Sequence, residues 1–458
     1  MTFARAAGAL VAALALALIL WPDAIGLAPE QGPVAGLILL AIGFWATGAL
    51  PFHLTALALL LLATVLELAP PRVIFAGFAS SALWLIFGGL VIGNAVQATG
   101  LGRRLARLLV GLLGGSYRRI IYGTVGLGVA LAFLVPAAMG RIIILVPIFV
   151  ALTGELGLAR GQPARTGVLL AAGFGTILPA FAILPANLPN MVLLGVAETL
   201  YGVSPSYGAW LLLHFPVLGL LHALLLAELI CRLFPGQVGE RRAAPGDPLP
   251  PWRAAEIRLL ATLLLALGLW ATDSLHGVSP GWVALAAALI CMLPGIGVVD
   301  PRRFESATSF STFFYVAGVL GMVSLIDASG LAGVIGAHAL SWLPLAPGAP
   351  AASFAALVGA ATVTSLLTTH PALPAVFGPL AAPLATAGNL PLETVLMTPV
   401  VGFAAMLLPY QSAPVMVALQ LADVRLASGS KLSLLLGAST LLVLVPLDYL
   451  WWRWLGYL

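Results

Sequence analysis

The chain is 458 residues long, 61% hydrophobic and only 8% charged, with a mean hydropathy of +1.10 and a formal net charge of +4. These proportions exclude every soluble globular class and define a polytopic integral membrane protein. The basic residues lie between apolar runs, where membrane topology accounts for them, so no nucleic-acid partner is expected.

About twenty apolar residues cross a bilayer, and on that ruler the first predicted helices lie near 4–21, 32–51, 52–69 and 82–99. The first follows Arg5 and has no clean small-residue cleavage site, so residues 1–31 read as a retained N-terminal helix rather than a signal peptide. Residues 100–114, GLGRRLARLLVGLLG, set Arg103, Arg104 and Arg107 beside leucines, as a helix lying along the inner membrane surface does. The apolar stretch 119–152 is too long for one crossing and scarcely long enough for two, and reads as a re-entrant hairpin. A proline-broken helix over 165–200 and a helix near 208–234 complete a first unit, 32–234. Residues 235–253 are polar and proline-rich, a cytoplasmic linker. The second unit, 254–458, holds helices near 254–272, 281–294, 310–326 and 430–450, a hairpin at 351–388 and a broken helix at 393–424.

The two units echo each other. ILPANLPNMV at 183–192 and LLPYQSAPVMV at 407–417 align Leu184, Pro185, Pro189, Met191 and Val192 with Leu408, Pro409, Pro414, Met416 and Val417, and NAVQATGL at 94–101 answers SLIDASGL at 324–331. With the N-terminus in the cytoplasm and both hairpins returning to their own side, Arg5, Arg118, Arg119, Arg160, Arg165, Arg241, Arg242, Arg302 and Arg303 fall inside with the other basic residues. Only Arg72 and Arg453 fall outside. Each unit then crosses an odd number of times, which inverts the second. The predicted fold is an all-α polytopic membrane protein of about eleven transmembrane helices plus two re-entrant hairpins, arranged as an inverted-topology repeat.

Backbone freed from a helix inside a bilayer is tolerated where it lines a cavity, so the two breaks and two hairpin tips mark the expected binding site. Its polar residues are few: Arg141 in the first tip, Thr368, Thr369 and His370 in the second, Asn187 and Asn190 in the first break, and Gln411 and Ser412 in the second. Arg141 is the strongest signal, because an arginine between AFLVPAAMG and IIILVPIF costs roughly 2.5–3.5 kcal/mol on insertion scales. Its expected role is a fixed cation that grips a carboxylate or sulfonate, the alternative being a brace on a hairpin carbonyl. His370 is a candidate proton carrier, and the amides are candidate ligands or helix caps. His53, His214, His222, His276 and His338 fall near predicted span ends without ligand spacing and read as structural. Glu228 and Arg232 read as a helix-face ion pair. Cys231 and Cys291 fit neither a disulfide nor a metal spacing, and no metal or cofactor is expected. No carboxylate falls in either tip or break.

The order of these stretches resembles the divalent-anion/sodium symporter family. ALWLIFGGLVIGNAVQATGLGRRLARLL at 82–109 is similar to that family's helix leading into a membrane-surface arm. FLVPAAMGRIIILVP at 133–147 and LLTTHPALPAVFGP at 366–379 occupy its hairpin tips, and GFGTILPAFAILPANLPNMV and GFAAMLLPYQSAPVMV its broken helices. The resemblance implies a homodimer and a transport domain that moves past a scaffold. It also implies a Ser-Asn-Thr signature at each tip for sodium and carboxylate. Here those positions hold Ala137, Ala138 and Met139, and Thr369, His370 and Pro371. Both signatures are missing, so exchange or proton coupling is expected in place of sodium symport.

The function expected is secondary active transport of a small anion by a bacterial inner-membrane protein. The alternatives are an anion channel, since a fixed arginine also sets pore selectivity, and the membrane subunit of a binding-protein-dependent carrier. An intramembrane enzyme is disfavoured, because no HExxH, GxSxG or paired carboxylates appear where the spans converge.

Overall fold

The computed structural model describes residues 2–111, 116–238, 250–300 and 309–458, and among them it is helical with no strand. Gly115, linker residues 239–249 with Arg241 and Arg242, and the pair Arg302 and Arg303 lie outside the described residues, as does the side chain of Arg5.

Helix α1 (Thr2–Leu20), ahead of the first unit, packs on α2 (Gln31–Thr47), which is followed by α3 (Phe52–Val65), α4 (Ser81–Thr99) and α5 (Leu101–Gly111). Helix α4 starts where a start is chemically provided for. The Ser80 hydroxyl accepts from Ala82 N, and the Glu198 carboxylate accepts from Ser81 N at 3.1 Å and from the Ser80 hydroxyl at 2.7 Å. An acid at that end satisfies amides that lack intrahelical partners and meets the positive pole of the helix. The helix stops at Gly100, whose φ of +79° suits a residue without Cβ. Helices α6 (Tyr117–Leu134) and α7 (Ala138–Glu155) flank the first tip, Val135–Ala137; α8 (Pro163–Gly175) and α9 (Leu188–Tyr201) flank the first break; α10 (Tyr207–Leu233) closes the unit.

The second unit runs α11 (Ala254–Ala271), α12 (Pro280–Met292), α13 (Phe310–Ala328), α14 (Leu331–Trp342), then the hairpin α15 (Pro350–Leu367) and α16 (Leu373–Gly388). The broken pair α17 (Leu392–Ala404) and α18 (Ala413–Leu421) and the last helix α19 (Leu426–Trp454) complete it. This order repeats α2 to α10 element for element. Among the described residues, nine helices are long and apolar enough to cross a membrane, with shorter apolar helices between them.

Two features differ from the sequence reading. Helix α14, the counterpart of α5, was not predicted: its sequence LAGVIGAHALSW lacks the arginines that single out α5. His214 and His222, expected near span ends, lie in the middle of α10 on either side of a π-helical turn, Phe215–Leu221, and both are fully buried. Their neighbours in LLLHFPVLGLLHALLL are apolar throughout, which places them at mid-span rather than at an end. Of the other three histidines read as structural, His53 is half-buried and His276 and His338 are exposed, and they make ordinary bonds: His53 to Ser311, His276 to Leu269 O and His338 to Val334 O. Both cysteines are free thiols. Glu228 bonds Arg232 at 2.8 Å, and also Arg118 across the helix interface at 2.5 Å.

Candidate functional site

The first tip and the first break are tied together by one side chain. Arg141, on the first turn of α7, is fully buried. Its Nε donates to Thr176 O at 3.2 Å and Thr176 Oγ1 at 3.1 Å, Nη1 to Val135 O at 2.7 Å and Ala186 O at 3.0 Å, and Nη2 to Thr176 O at 2.9 Å and Asn187 Oδ1 at 3.3 Å. A guanidinium has five N–H groups in a fixed fork, and each has a protein acceptor here. The acceptors are those the chain's interruptions set free: Val135 ends α6, Thr176 ends α8, and Ala186 and Asn187 lead into α9. No acid lies within ion-pair distance of Arg141 among the described residues. The sequence expectation of a fork free to grip an anion is therefore corrected for this conformation. The donors are engaged by backbone carbonyls and by the Thr176 and Asn187 side chains, and what Arg141 offers an anion nearby is an unneutralised positive charge.

The amides are engaged in the same way. Asn187 Nδ2 donates to Ile177 O at 3.0 Å, and Asn190 Nδ2 to Phe181 O at 2.9 Å and Ile183 O at 3.0 Å, closing the turns of the break. Asn190 Oδ1 has no protein partner. In the second break, Gln411 Oε1 accepts from Leu407 N at 2.9 Å and Leu408 N at 2.8 Å, while its Nε2 donates to Ser365 Oγ at 2.8 Å. Its main-chain oxygen accepts from His370 N at 3.0 Å, so one residue joins the second break to the second tip. The Tyr410 hydroxyl adds a bond to Leu366 O. Ser412 caps the start of α18 by position, with its side chain making no cap bond.

His370 joins the two units. Its buried ring meets Phe181 of the first break edge-on at 5.2 Å and Phe403 of α17 at 5.7 Å, and neither ring nitrogen has a protein partner. Thr368 is half-buried with its hydroxyl on Thr364 O at 2.7 Å, and Thr369 is exposed. Around this junction the first tip presents Ala137 and Ala138 half-buried and Met139 exposed. The eight sequence candidates thus fall in one interlocked set of tips and breaks. Arg141, Asn187 and Gln411 are spent on backbone, while His370, Thr369, Ser412 and one atom of Asn190 keep hydrogen-bonding capacity.

Sequence reasoning missed Thr176, the main acceptor for Arg141, and Ser365, the partner of Gln411. Both are short hydroxyls inside apolar runs, and only the location of Thr176 at a break in GFGTILP hinted at a role. The first tip leans on α4, where a Cβ added at Gly93 would stand 3.0 Å from Ala137 Cβ.

A helical membrane protein with two tip-and-break pairs closing on a buried cation has the architecture of a secondary transporter. The family model for the sodium:sulfate symporter transmembrane region matches residues 5–458, and the chain belongs to that family. It is 29% identical over 329 residues to a membrane protein of Cupriavidus necator, covering 66% of this chain and 63% of that one. It is 26% identical over 262 residues to the inner membrane protein YbhI of Escherichia coli, covering 55% and 54%. It is also 24% identical over 269 residues to the L-tartrate/succinate antiporter of E. coli K12, covering 54% and 53%. The matches therefore span about half to three-fifths of these relatives. Among solved structures, the Alcanivorax borkumensis YdaH transporter shares the fold at a TM-score of 0.57 and 14% identity, over 84% of this chain and 87% of that one. Neisseria gonorrhoeae MtrF, of a class of antimetabolite efflux pumps, does so at 0.53 and 13%, over 86% and 84%.

Proposed function

We propose that the protein is a secondary active transporter of a small organic anion, a carboxylate above a sulfonate or inorganic oxyanion, working by exchange or proton coupling without sodium. The observation that carries this reading is Arg141: a buried guanidinium with no acid beside it, whose charge is left for a ligand to balance. The loss of both Ser-Asn-Thr signatures supports the absence of sodium, and the similarity to an L-tartrate/succinate antiporter supports small carboxylates and exchange.

In this reading the anion sits at the junction of tips and breaks. There the positive ends of α9 and α18 converge with the field of Arg141, and His370, Thr369, Ser412 and Asn190 supply side-chain contacts. Thr368, Asn187 and Gln411 shape the site through the bonds already described. The hairpins are re-entrant, the two units are inverted about the membrane plane, and the N-terminus faces the cytoplasm. Hairpins, broken helices, α10 and α19 move together past a scaffold of the other helices in a homodimer of the bacterial cytoplasmic membrane.

Proteoliposomes loaded with succinate, tartrate or sulfate and given external labelled succinate test this directly. Succinate counterflow that persists without sodium is expected, and strict dependence on sodium would overturn the coupling assignment. Flux that fails to saturate with concentration would favour a channel.

A further inference from the structure

We propose that His214 and Asp448 form a proton-binding site directly behind the first break, through which proton uptake is coupled to anion movement. Asp448 lies in α19 and is fully buried, and among the described residues the only hydrogen-bonding side chain beside its carboxylate is the indole of Trp452. His214, in α10, is likewise fully buried with both ring nitrogens unpartnered. Trp452, one turn after Asp448, bridges them: its ring lies 5.7 Å from His214, and its indole N–H faces the Asp448 carboxylate. Isolated polar groups of this kind are rare in protein interiors, because each forfeits hydration with nothing in return.

Among the described residues no cation pairs with Asp448. Helix α15 packs on this end of α19 through Phe354, whose ring is 5.3 Å from that of Trp452, and its sequence PAASFAALVGAATVTSLL contains no ionisable residue. From α10 the titratable groups facing α19 are His214 and His222, the latter 3.4 Å from Thr440 Oγ1, two turns before Asp448; Tyr207, a turn and more away, stacks instead on Trp270. On α19 itself Tyr449 packs on Phe354, and Arg453 is exposed. The C-terminal Tyr457 approaches Trp452 at 6.2 Å. A carboxyl so placed has no charged partner, and the imidazole reached through Trp452 gives its proton somewhere to go.

Two further features suit a site that loads and unloads. Helices α10 and α19 are counterparts in the two units, and each contains a π-helical turn here, at Phe215–Leu221 and at Thr440–Leu444, an irregularity that recurs at functional positions. A narrow crevice lined by Trp210, Leu213, Glu393, Met397 and Tyr457 runs from exposed Glu393 to buried Trp210, which touches His214 at 5.0 Å between ring centres. Trp210 also carries the link to the substrate junction. Its Nε1 donates to Phe181 O at 3.3 Å, the same oxygen that Asn190 holds, and the Phe181 ring meets His370. Charge placed at His214 is therefore one residue, Trp210, removed from the break, and charge at Asp448 is two residues further, through Trp452 and His214.

The inference rests on the transport reading, and two measurements separate their failures. In infrared pH titration of the purified protein, needing no substrate, we expect a protonated-carboxyl band that vanishes in Asp448→Asn and shifts in His214→Gln; a band unchanged by Asp448→Asn would overturn the site. In proteoliposomes, an imposed acid-outside gradient of about one pH unit should raise succinate accumulation about tenfold for one-to-one coupling. Asn mimics the protonated acid, so Asp448→Asn should retain succinate counterflow while the gradient effect falls to about one, with Asp448→Glu recovering it. Equal gradient stimulation in Asp448→Asn and the native protein would overturn the proposal, as would loss of counterflow in a monodisperse Asp448→Asn protein. A native protein that moves no anion, yet shows the Asp448 band, would overturn the transport reading and leave the proton site standing.

Discussion

Replacing Arg141 tests the knot between tip and break. In Arg141→Ala, Val135 O, Thr176 O, Ala186 O and Asn187 Oδ1 lose their common donor while remaining buried. An unsatisfied buried acceptor costs about 1–3 kcal/mol. Four of them amount to roughly 4–12 kcal/mol, before any term for the void, and release from burying the charge itself offsets part of this. The remainder is comparable to the whole stability of many domains, about 5–15 kcal/mol. Arg141→Ala is therefore expected to unfold or aggregate, not to yield a folded transporter that has merely lost affinity. Arg141→Lys keeps the charge but offers three donors for five, leaving at least one of those four acceptors bare, a loss of about 1–3 kcal/mol or more. Thermal unfolding in detergent, with size-exclusion dispersity, ranks the three proteins. The expected order is native, then Lys lower by on the order of 10 °C, then Ala without a folded peak. A monodisperse Ala variant melting within about two degrees of native, on the same scale, would refute the assignment of those five N–H groups.

Gly93→Val adds branched bulk where a bare Cβ already stands 3.0 Å from Ala137. The expected cost is about 1–3 kcal/mol in thermal unfolding, with slowed succinate counterflow; native values for both would show that α4 and the first tip are not held at that separation. Gln411→Leu leaves the amides of Leu407 and Leu408 without their shared acceptor. It should cost roughly 2–6 kcal/mol, with Gln411→Glu, which keeps an acceptor, recovering part in the same melt. Cysteines placed at Ser116 and Gly161, before and after the first hairpin, should both react with impermeant thiol reagent from the cytoplasmic side; labelling from opposite faces would end the re-entrant reading.

The boundaries of the long helices were legible because a bilayer demands apolar runs of one length and arginines mark where they end. The breaks at Pro185 and Pro409 were legible because proline inside such a run removes a backbone donor. Helix α14 was not, since neither charge nor period distinguishes LAGVIGAHALSW from the apolar segments beside it. At the site, the list of polar residues could be read from the sequence, but their partners could not. Arg141 satisfies carbonyls of Thr176 and Ala186 that lie 35 and 45 positions away, and main-chain acceptors carry no signature in the sequence. Asp448 was passed over for a related reason: in VPLDYLWW, near the chain's end, it looks like an interfacial acid, and only the packing of α15 and α10 against α19 buries it.

The depth of the site follows from helix lengths. Helix α8 has 13 residues and α9 has 14, so at 1.5 Å per residue the first break lies about 20 Å from either outer end, near the middle of the element. The first tip is fixed at that same level, because Arg141 bonds Val135 O and the break's Thr176 and Ala186 oxygens simultaneously. Yet the arms α6 and α7 have 18 residues each, about 27 Å along the axis, close to the hydrocarbon thickness of about 30 Å. Arms of that length ending about 20 Å deep must run oblique to α8. A straight crossing would instead carry Val135 past the level of the break, beyond reach of the guanidinium. Arm length alone favours two crossings, whereas the bonds of one arginine favour a hairpin that turns back at mid-depth. An obliquely inclined helix loses nothing, while four buried carbonyl and amide oxygens without a donor lose several kcal/mol, and that difference is what supports the proposed re-entrant hairpin over two full crossings.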